Sequence, residues 1–364
     1  MNPLCRLIAV ISLGLAAAAA AAPADAQRIE KKWQLTMEQW SLETRVATTP
    51  EALAKVWSAR PDATPSARQM WEVIGPALAE EWSLEPAAWF LRATAGLLTK
   101  KPDGSTTPTF AKESEAIRKA VETYHLKSAK LIPICMALAA TQDPRALAVL
   151  EKIQAHHSDK KTQGVAALGA AMILKTLGDD AELTRKRLTD LRQAIIQSAD
   201  VDLGGTTVAK LAEDELYIIR FLTKGRLAPD LSGTDSAGRP LKLSDQHDKV
   251  IVLLFWNSSC QDAERTVQIT RDMVKKFQGR PFVVIGVCND PLPKLRALEA
   301  DSTVTWQNLS DPANKLAADY RVGAWPLVYV LDGERKIHYA GAPGSFAELT
   351  AEALLAEIKP ATKE

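Results

Sequence analysis

The spacing of apolar residues divides the chain into two parts. From Arg28 to Lys224, apolar positions recur at helical intervals, and Gly, Pro and Asp cluster where helices are expected to end. The pattern predicts helices over residues 51–57, 67–82, 87–98, 114–124, 129–140, 144–155, 164–177 and 183–198. Between residues 129 and 197, an Ala-rich helix, an acidic turn and a Leu-rich helix occur twice. The pattern is compatible with stacked helical hairpins of the tetratricopeptide or HEAT kind and equally with an irregular helical domain.

Beyond Arg226 the pattern changes to short β-branched runs and glycine turns. Val250–Phe255 and Phe282–Val287 are continuous apolar runs of the length of buried strands. Leu327–Leu331 and Lys336–Ala340 are shorter strand candidates. The fold class predicted is therefore a multidomain α plus α/β protein, with a helical domain over 27–225 and an α/β domain over 226–364.

The first 26 residues have the pattern of a secretory signal peptide. A basic Arg6 precedes an apolar core, Leu7–Ala22, and Ala24-Asp25-Ala26 forms a small-x-small cleavage motif. The alternative is an uncleaved leader that anchors the chain, although the apolar stretch is shorter than the about 20 residues of a comfortable span. We expect a periplasmic or secreted protein with no transmembrane domain after cleavage.

Charge and cysteine content narrow the classes of function. The chain has 45 Lys and Arg against 44 Asp and Glu, so nothing favours nucleic acid as a partner. Cys5 would leave with the signal peptide, which leaves Cys135, Cys260 and Cys288. An odd number in an oxidising compartment requires at least one thiol that is free or paired with another molecule. We expect neither a cofactor nor a metal.

The helical part shows no chemistry of its own. The neighbours His156 and His157 point in different directions on a helix, which disfavours a shared metal site. Cys135 lies in an apolar run and is expected to be buried and inert. Docking of a protein partner is the function that this part could serve.

The most informative residue is Cys260. The strand Val250–Phe255 breaks into a polar turn that delivers this cysteine to the expected start of a helix running to about Phe277. Ser258 or Ser259 would cap that helix, and its free amides and dipole would favour thiolate over thiol.

Several motifs in order resemble one family. APD, a hairpin with a D-x-x-G-R turn, LSD, KVIVLLFW, the cysteine, PFVVIGVCND and VGAWPLVYVLD follow one another between Leu227 and Ile358. They resemble the redoxin branch of the thioredoxin superfamily, the TlpA-like thiol-disulfide oxidoreductases and their AhpC/TSA relatives. A signal peptide and a helical domain ahead of such a domain resemble a family of large secreted bacterial redoxin proteins. The resemblance implies a thioredoxin fold, with the first two strands parallel and the last two antiparallel in one sheet.

The resemblance also implies roles for individual residues. Cys260 matches the nucleophile and Pro326 the cis-proline that faces it, so both are expected to be catalytic. Substrate contacts are implied for the residues beside these two, namely Trp256, Ser259, Ala324 and Trp325. The substrate would be a protein or small-molecule thiol or disulfide.

The site departs from the family pattern. Ala263 stands where a dithiol enzyme has its second cysteine, Leu254 stands where many thioredoxins bury an acid, and Asp262 opposes a thiolate. Trp325 is bulkier than the usual residue before the proline. Cys288 ends the neighbouring strand and is the candidate resolving cysteine, provided that the Cα atoms approach within about 7 Å; otherwise it is a small core residue.

Three functions follow from these features. The first is disulfide exchange or reduction by a degenerate CxxA site, with Cys260 as the single working thiol and a second substrate thiol as the resolving group. The second is a non-catalytic binding protein or scaffold with a lapsed redoxin domain. The third function is a one-cysteine peroxidase. It is the weakest of the three, because Asn257 and Leu253 replace the threonine and proline of the peroxidatic motif.

Overall fold

The computed structural model describes residues 3–47, 49–260 and 262–358, with only the backbone described for residues 3–21, 50, 51, 53 and 54. Much of the expected signal peptide, residues 1 and 2 and the side chains of 3–21, lies outside this description, and its cleavage stays a prediction. The chain divides into two compact units. The first unit is Met1–Thr48 with Ser58–Glu213, and the second unit is Thr49–Trp57 with Asp214–Glu364.

The N-terminal region is helical, as the apolar spacing predicts. Its helices are α1 (Pro3–Val46), α2 (Pro50–Ser58), α3 (Thr64–Ile74), α4 (Leu84–Thr94), α5 (Ala111–Ala120), α6 (Ile132–Ala140), α7 (Leu147–His156), α8 (Lys160–Leu177), α9 (Ala181–Ser198) and α10 (Val208–Tyr217). A hairpin of β1 (Leu98–Lys100) and β2 (Thr106–Pro108) separates α4 from α5. The helix predicted over 67–82 ends at Ile74, because Pro76 lies in a 3₁₀ turn that follows. The repeat arrangement of α6–α9 stays a prediction.

Of the groups of the first unit that are expected to be inert, His157 and Cys135 are buried and His156 is exposed. Asp159 caps α8 by accepting the Thr162 N–H at 2.8 Å. Buried His157 accepts the Asp159 N–H at 3.0 Å, and its other ring nitrogen lies 3.1 Å from the Ser128 carbonyl oxygen. Burial raises the pKa of the Cys135 thiol to about 12. Across the described side chains, no cluster of three His, Cys, Asp or Glu residues suits a metal ion.

The second unit contains a mixed sheet between helices. Its elements after α10 are β3 (Ser232–Thr234), β4 (Pro240–Lys242), β5 (Val250–Trp256), α11 (Ala263–Lys276), β6 (Phe282–Cys288), α12 (Leu292–Ala300), β7 (Gln307–Ser310), α13 (Lys315–Asp319), β8 (Leu327–Leu331), β9 (Ile337–Gly341) and α14 (Ser345–Glu357). The strand order is β7-β6-β5-β8-β9, with β3 and β4 as a separate hairpin. β5 runs parallel to β6 and antiparallel to β8, and β8 pairs antiparallel with β9. The predicted sheet is thus confirmed.

The central strand β5 is apolar throughout because both of its faces are covered. Val250, Leu254 and Trp256 face a core completed by α11 and α14. Ile251 and Phe255 face the opposite core. A strand buried on both sides reads as a continuous apolar run instead of an alternating one. The turn that follows β5 therefore leaves from the end of a strand that is packed on both faces.

The boundary between the two units differs from the expected division at 225/226. Leu222 is part of the second unit's core, and Tyr217 and Phe221 pack against it. Helical spacing shows which face of a segment is apolar, but it does not show which core that face joins. The segment Thr49–Trp57 likewise belongs to the second unit, although it precedes most of the first unit in sequence.

In the part of the chain with described side chains, no helix combines the length and the apolar character that crossing a bilayer requires.

Candidate functional site

Cys260 lies in the turn that leaves the central strand. β5 ends at Trp256, and α11 begins at Ala263. The sulfur is partly exposed, and its thiol donates a hydrogen bond to the Asn257 carbonyl oxygen at 3.2 Å. The Asn257 side-chain oxygen accepts the Ser259 N–H at 2.9 Å, which closes the turn. We call residues 257–260 the cysteine turn.

The helix begins later than the sequence predicts. Asp262 is the residue before α11, its φ is 60°, and it makes no side-chain cap. A left-handed residue cannot continue a helix toward Cys260, so the cysteine precedes the helix instead of opening it. The prediction that Ser258 or Ser259 caps a helix at Cys260 is therefore wrong. The Ser258 N–H instead donates to Asp290 Oδ2 at 2.9 Å.

The electrostatics of Cys260 also differ from the expectation. Partial burial raises the pKa of its thiol, and the carboxylates of Asp290 and Asp262 raise it further. Hydrogen bonds with the backbone at Asn257 oppose the increase without cancelling it. The sequence predicts a helix terminus that favours thiolate, whereas the structure favours the protonated thiol at neutral pH. Attack on a disulfide therefore has to begin from a small thiolate fraction.

Asp290 is the site residue that the sequence analysis missed. It follows β6 and is only 4% exposed. Its Oδ2 accepts the Ser258 N–H at 2.9 Å and the Cys288 thiol at 3.6 Å. The available signal was its position, since β5 and β6 are parallel and the residues that follow them meet at one edge of the sheet.

Cys288 lies next to Trp256 in the register of β6 and β5 and is fully buried. Burial and the nearby Asp290 both raise the pKa of its thiol. Cys135, Cys260 and Cys288 are all free thiols. The arrangement fits the reading of Cys288 as a core residue whose thiol donates to a carboxylate.

The segment before β8 contains the predicted cis-proline. The Trp325-Pro326 peptide is cis, as expected. Leu327 pairs with Phe255, so Pro326 lies at the sheet edge where the cysteine turn begins. The Trp325 ring packs edge-on against Phe255, with 6.4 Å between the ring centroids, and Ala324 is exposed.

Trp256 does not have the expected exposure for substrate contact. Its side chain is 0% exposed, its indole N–H donates to Asn308 Oδ1 at 2.9 Å, and its ring packs edge-on against Trp306. A Cβ at Gly286 would lie 1.9 Å from Asn308 Oδ1, so this position has no room for a side chain. Trp256 is a core residue because its position in β5 directs it toward the core that α11 and α14 complete.

Trp57 contacts the cysteine turn from a distant part of the sequence. Its indole N–H donates to the Ser259 carbonyl oxygen at 2.8 Å, across 202 positions of the chain. Ser259, expected to bind substrate, therefore uses its carbonyl for a contact within the second unit. Local patterns carry no information on a contact of this range, so the sequence analysis did not identify it.

Residues 224–340 match the AhpC/TSA family. The thiol-disulfide oxidoreductase ResA of Geobacillus kaustophilus is 25% identical over 138 residues, which cover 37% of this chain and 78% of that protein. Chloroplastic peroxiredoxin Q of Arabidopsis thaliana is 30% identical over 119 residues, which cover 30% of this chain and 55% of the peroxiredoxin.

Among solved structures, the thioredoxin domain of a thiol-disulfide oxidoreductase from Bacteroides vulgatus is similar to this chain. It is 22% identical, with coverage of 36% of this chain and 98% of its own and a TM-score of 0.34. The match to residues 224–340 coincides with the β3–β9 part of the second unit, which includes Cys260 and Pro326. Behind its helical region, the chain therefore carries an α/β domain with a thioredoxin-like strand order, whose residues 224–340 match the AhpC/TSA family and whose similar curated proteins include thiol-disulfide oxidoreductases.

Proposed function

We propose that the protein performs thiol–disulfide exchange through Cys260 as its single working thiol. The observation that carries the proposal is the contrast among the cysteines of the described chain. Cys260 reaches solvent beside the cis-proline edge of the sheet, whereas Cys135 and Cys288 are buried. A thiol must reach its substrate to react, so exchange would be confined to Cys260.

The reaction has two steps because Ala263 provides no second sulfur. The Cys260 thiolate attacks one sulfur of a substrate disulfide, the substrate S–S bond breaks, and the released thiolate takes up a proton. A second substrate thiolate then attacks the mixed disulfide and regenerates the Cys260 thiolate. The number of disulfide bonds does not change, so isomerisation and transfer of glutathione-like groups are the reactions that fit this site.

The substrate and compartment are part of the same proposal. A protein or small-molecule disulfide is the expected substrate, and the helical region is the expected docking surface for a protein client. A periplasmic or secreted location follows from the leader over 1–26, which would place the thiol in an oxidising compartment where disulfides persist.

A trapping experiment tests the proposal. The purified protein is mixed with a peptide containing one disulfide, and covalent adducts are separated without reductant. Wild type should form an adduct that reductant removes, Cys260→Ser should form none, and the matched variant Cys288→Ser should behave as wild type. An adduct that persists in Cys260→Ser would refute the assignment.

One observation favours a binding function instead. The raised pKa of Cys260 and the missing second cysteine are also what a lapsed site would show. A scaffold would trap no disulfide and would keep its client binding in Cys260→Ser. The similarity to peroxiredoxin Q favours peroxidase activity less strongly, because burial and the Asp290 carboxylate raise the pKa of the Cys260 thiol, whereas a peroxidatic cysteine reacts as the thiolate. Consumption of hydrogen peroxide dependent on Cys260 would support the peroxidase.

A further inference from the structure

Asp290 is a buried carboxylate directly behind the cysteine turn. It is 4% exposed, and both of its observed donors bind the same oxygen, Oδ2. Among the residues that the structure describes, no lysine or arginine pairs with it. A carboxyl group buried without a cationic partner is costly inside a protein, so its presence at this edge of the sheet points to a function.

The two donors connect Asp290 to both sides of the site. The Ser258 N–H belongs to the cysteine turn, and the 2.9 Å bond fixes that turn two residues before Cys260. The Cys288 thiol belongs to the end of β6 and is buried behind the turn. A carboxylate that bonds to both elements determines where the turn, and therefore the Cys260 sulfur, lies relative to the sheet.

The same carboxylate acts on Cys260 through its charge. The other titratable groups nearby are also acidic: Asp262 faces Cys260, and Glu299 faces Cys288. Asp262 is exposed, so water screens its charge, whereas Asp290 is buried and is screened less. Of the two carboxylates that raise the pKa of the Cys260 thiol, Asp290 has the larger effect.

We propose that Asp290 is a positioning residue for exchange at Cys260, whose carboxylate holds the cysteine turn in place and puts a buried negative charge behind the sulfur. The inference rests on the proposed function and deepens it. β5 contains no acidic residue, since Leu254 stands where many thioredoxins bury an acid. Asp290, which follows the parallel strand β6, instead places a buried acid at the end of the sheet from which the cysteine turn leaves. A protonated resting thiol would avoid irreversible oxidation, which proceeds through the thiolate.

The test is the pH dependence of alkylation at Cys260 in the full chain. Iodoacetamide modification of the Cys260 peptide is followed by mass spectrometry from about pH 6 to pH 10, a range that brackets the ordinary cysteine pKa. Asp290→Asn removes the charge and retains an oxygen for the Ser258 N–H. Its alkylation midpoint should fall, and its rate at pH 7 should rise about threefold to tenfold, since one pH unit is a tenfold change in thiolate.

Matched variants separate charge from structure. Asp262→Asn removes an exposed acid near the same sulfur and should shift the midpoint by less than half as much. Asp290→Glu retains the charge and should keep the midpoint near that of wild type. If Asp290→Asn does not fold, Asp290→Ser takes its place, because serine is uncharged and its hydroxyl oxygen can accept the Ser258 N–H.

The outcomes are distinct from those of the trapping experiment. A folded Asp290→Asn protein with the wild-type midpoint overturns the inference and leaves the proposed exchange intact. A lowered midpoint supports the inference even if no mixed disulfide ever forms at Cys260, a result that would refute only the proposed exchange.

Discussion

Restoring a second cysteine at Ala263 should convert the site into a dithiol site. Ala263 is the first residue of α11, and its N–H donates to the Cys260 carbonyl oxygen at 3.3 Å. A turn with this i to i+3 hydrogen bond brings its end Cα atoms within about 7 Å, close to the limit that a disulfide can bridge. In Ala263→Cys, the new thiol should therefore attack a mixed disulfide at Cys260 and release the substrate.

The size of the effect follows from the intramolecular attack. Even a flexibly tethered thiol has an effective concentration on the order of 1 mM, about 100 times that of an external thiol at roughly 10 µM. At that external concentration, the lifetime of a mixed disulfide at Cys260 should fall about 100-fold in Ala263→Cys, by the same ratio. Wild type should release its adduct only as fast as the external thiol attacks.

The assay follows the decay of a purified adduct by intact mass, with reduction of insulin as a second measurement. Ala263→Ser is the matched control, since serine adds an atom of similar position without the sulfur. It should retain the wild-type lifetime. An Ala263→Cys protein whose two thiols both alkylate, but whose adduct decays no faster than that of wild type, would refute the reasoning about this turn.

Three further perturbations probe other parts of the account. Trp57→Phe removes the indole donor to the cysteine turn, so alkylation of Cys260 at fixed pH should accelerate several-fold; an unchanged rate would show that the contact does not protect the thiol. In the folded protein the pKa of Cys135 is raised to about 12, so its thiol stays neutral at a pH where the thiol of the unfolded chain ionises, above about pH 8.5. The free energy of unfolding should therefore fall with increasing pH, by up to about 1.4 kcal/mol per pH unit. In urea unfolding at pH 8 to 10.5, Cys135→Ala should show a shallower decline, and an identical slope would contradict this. Asn308→Leu leaves the buried Trp256 indole N–H unpaired and should cost about 1–3 kcal/mol in thermal denaturation, and an unchanged melting temperature would contradict this.

The sheet could be predicted from the sequence because its strands are buried. Val250–Phe255 and Phe282–Val287 read as continuous apolar runs, and both lie within one residue of the observed strands. The cis peptide before Pro326 could also be predicted, since it belongs to a motif that local sequence identifies. Such features depend on residues adjacent in the chain.

The electrostatics of the site could not be predicted in the same way. Whether Cys260 lies in or before α11 depends on the φ of a single residue, Asp262, and propensity does not determine that angle. The bond from Ser258 to Asp290 and the contact from Trp57 join segments far apart in sequence. The sign of the shift in the Cys260 pKa depends on these details of the turn, which explains why the expected thiolate site is a protonated one.

The most direct test of the central claim uses two variants with complementary cysteines. Of Cys135, Cys260 and Cys288, one variant retains only Cys260, through Cys135→Ala and Cys288→Ala, and the other lacks only Cys260. Both are incubated with oxidised glutathione at about pH 8.5, where the thiolate of an ordinary cysteine is well populated, and their intact masses are measured. The account predicts one glutathione adduct on the first variant and none on the second. The reverse pattern, or no adduct on either folded variant, would contradict the claim that Cys260 is the exchanging thiol.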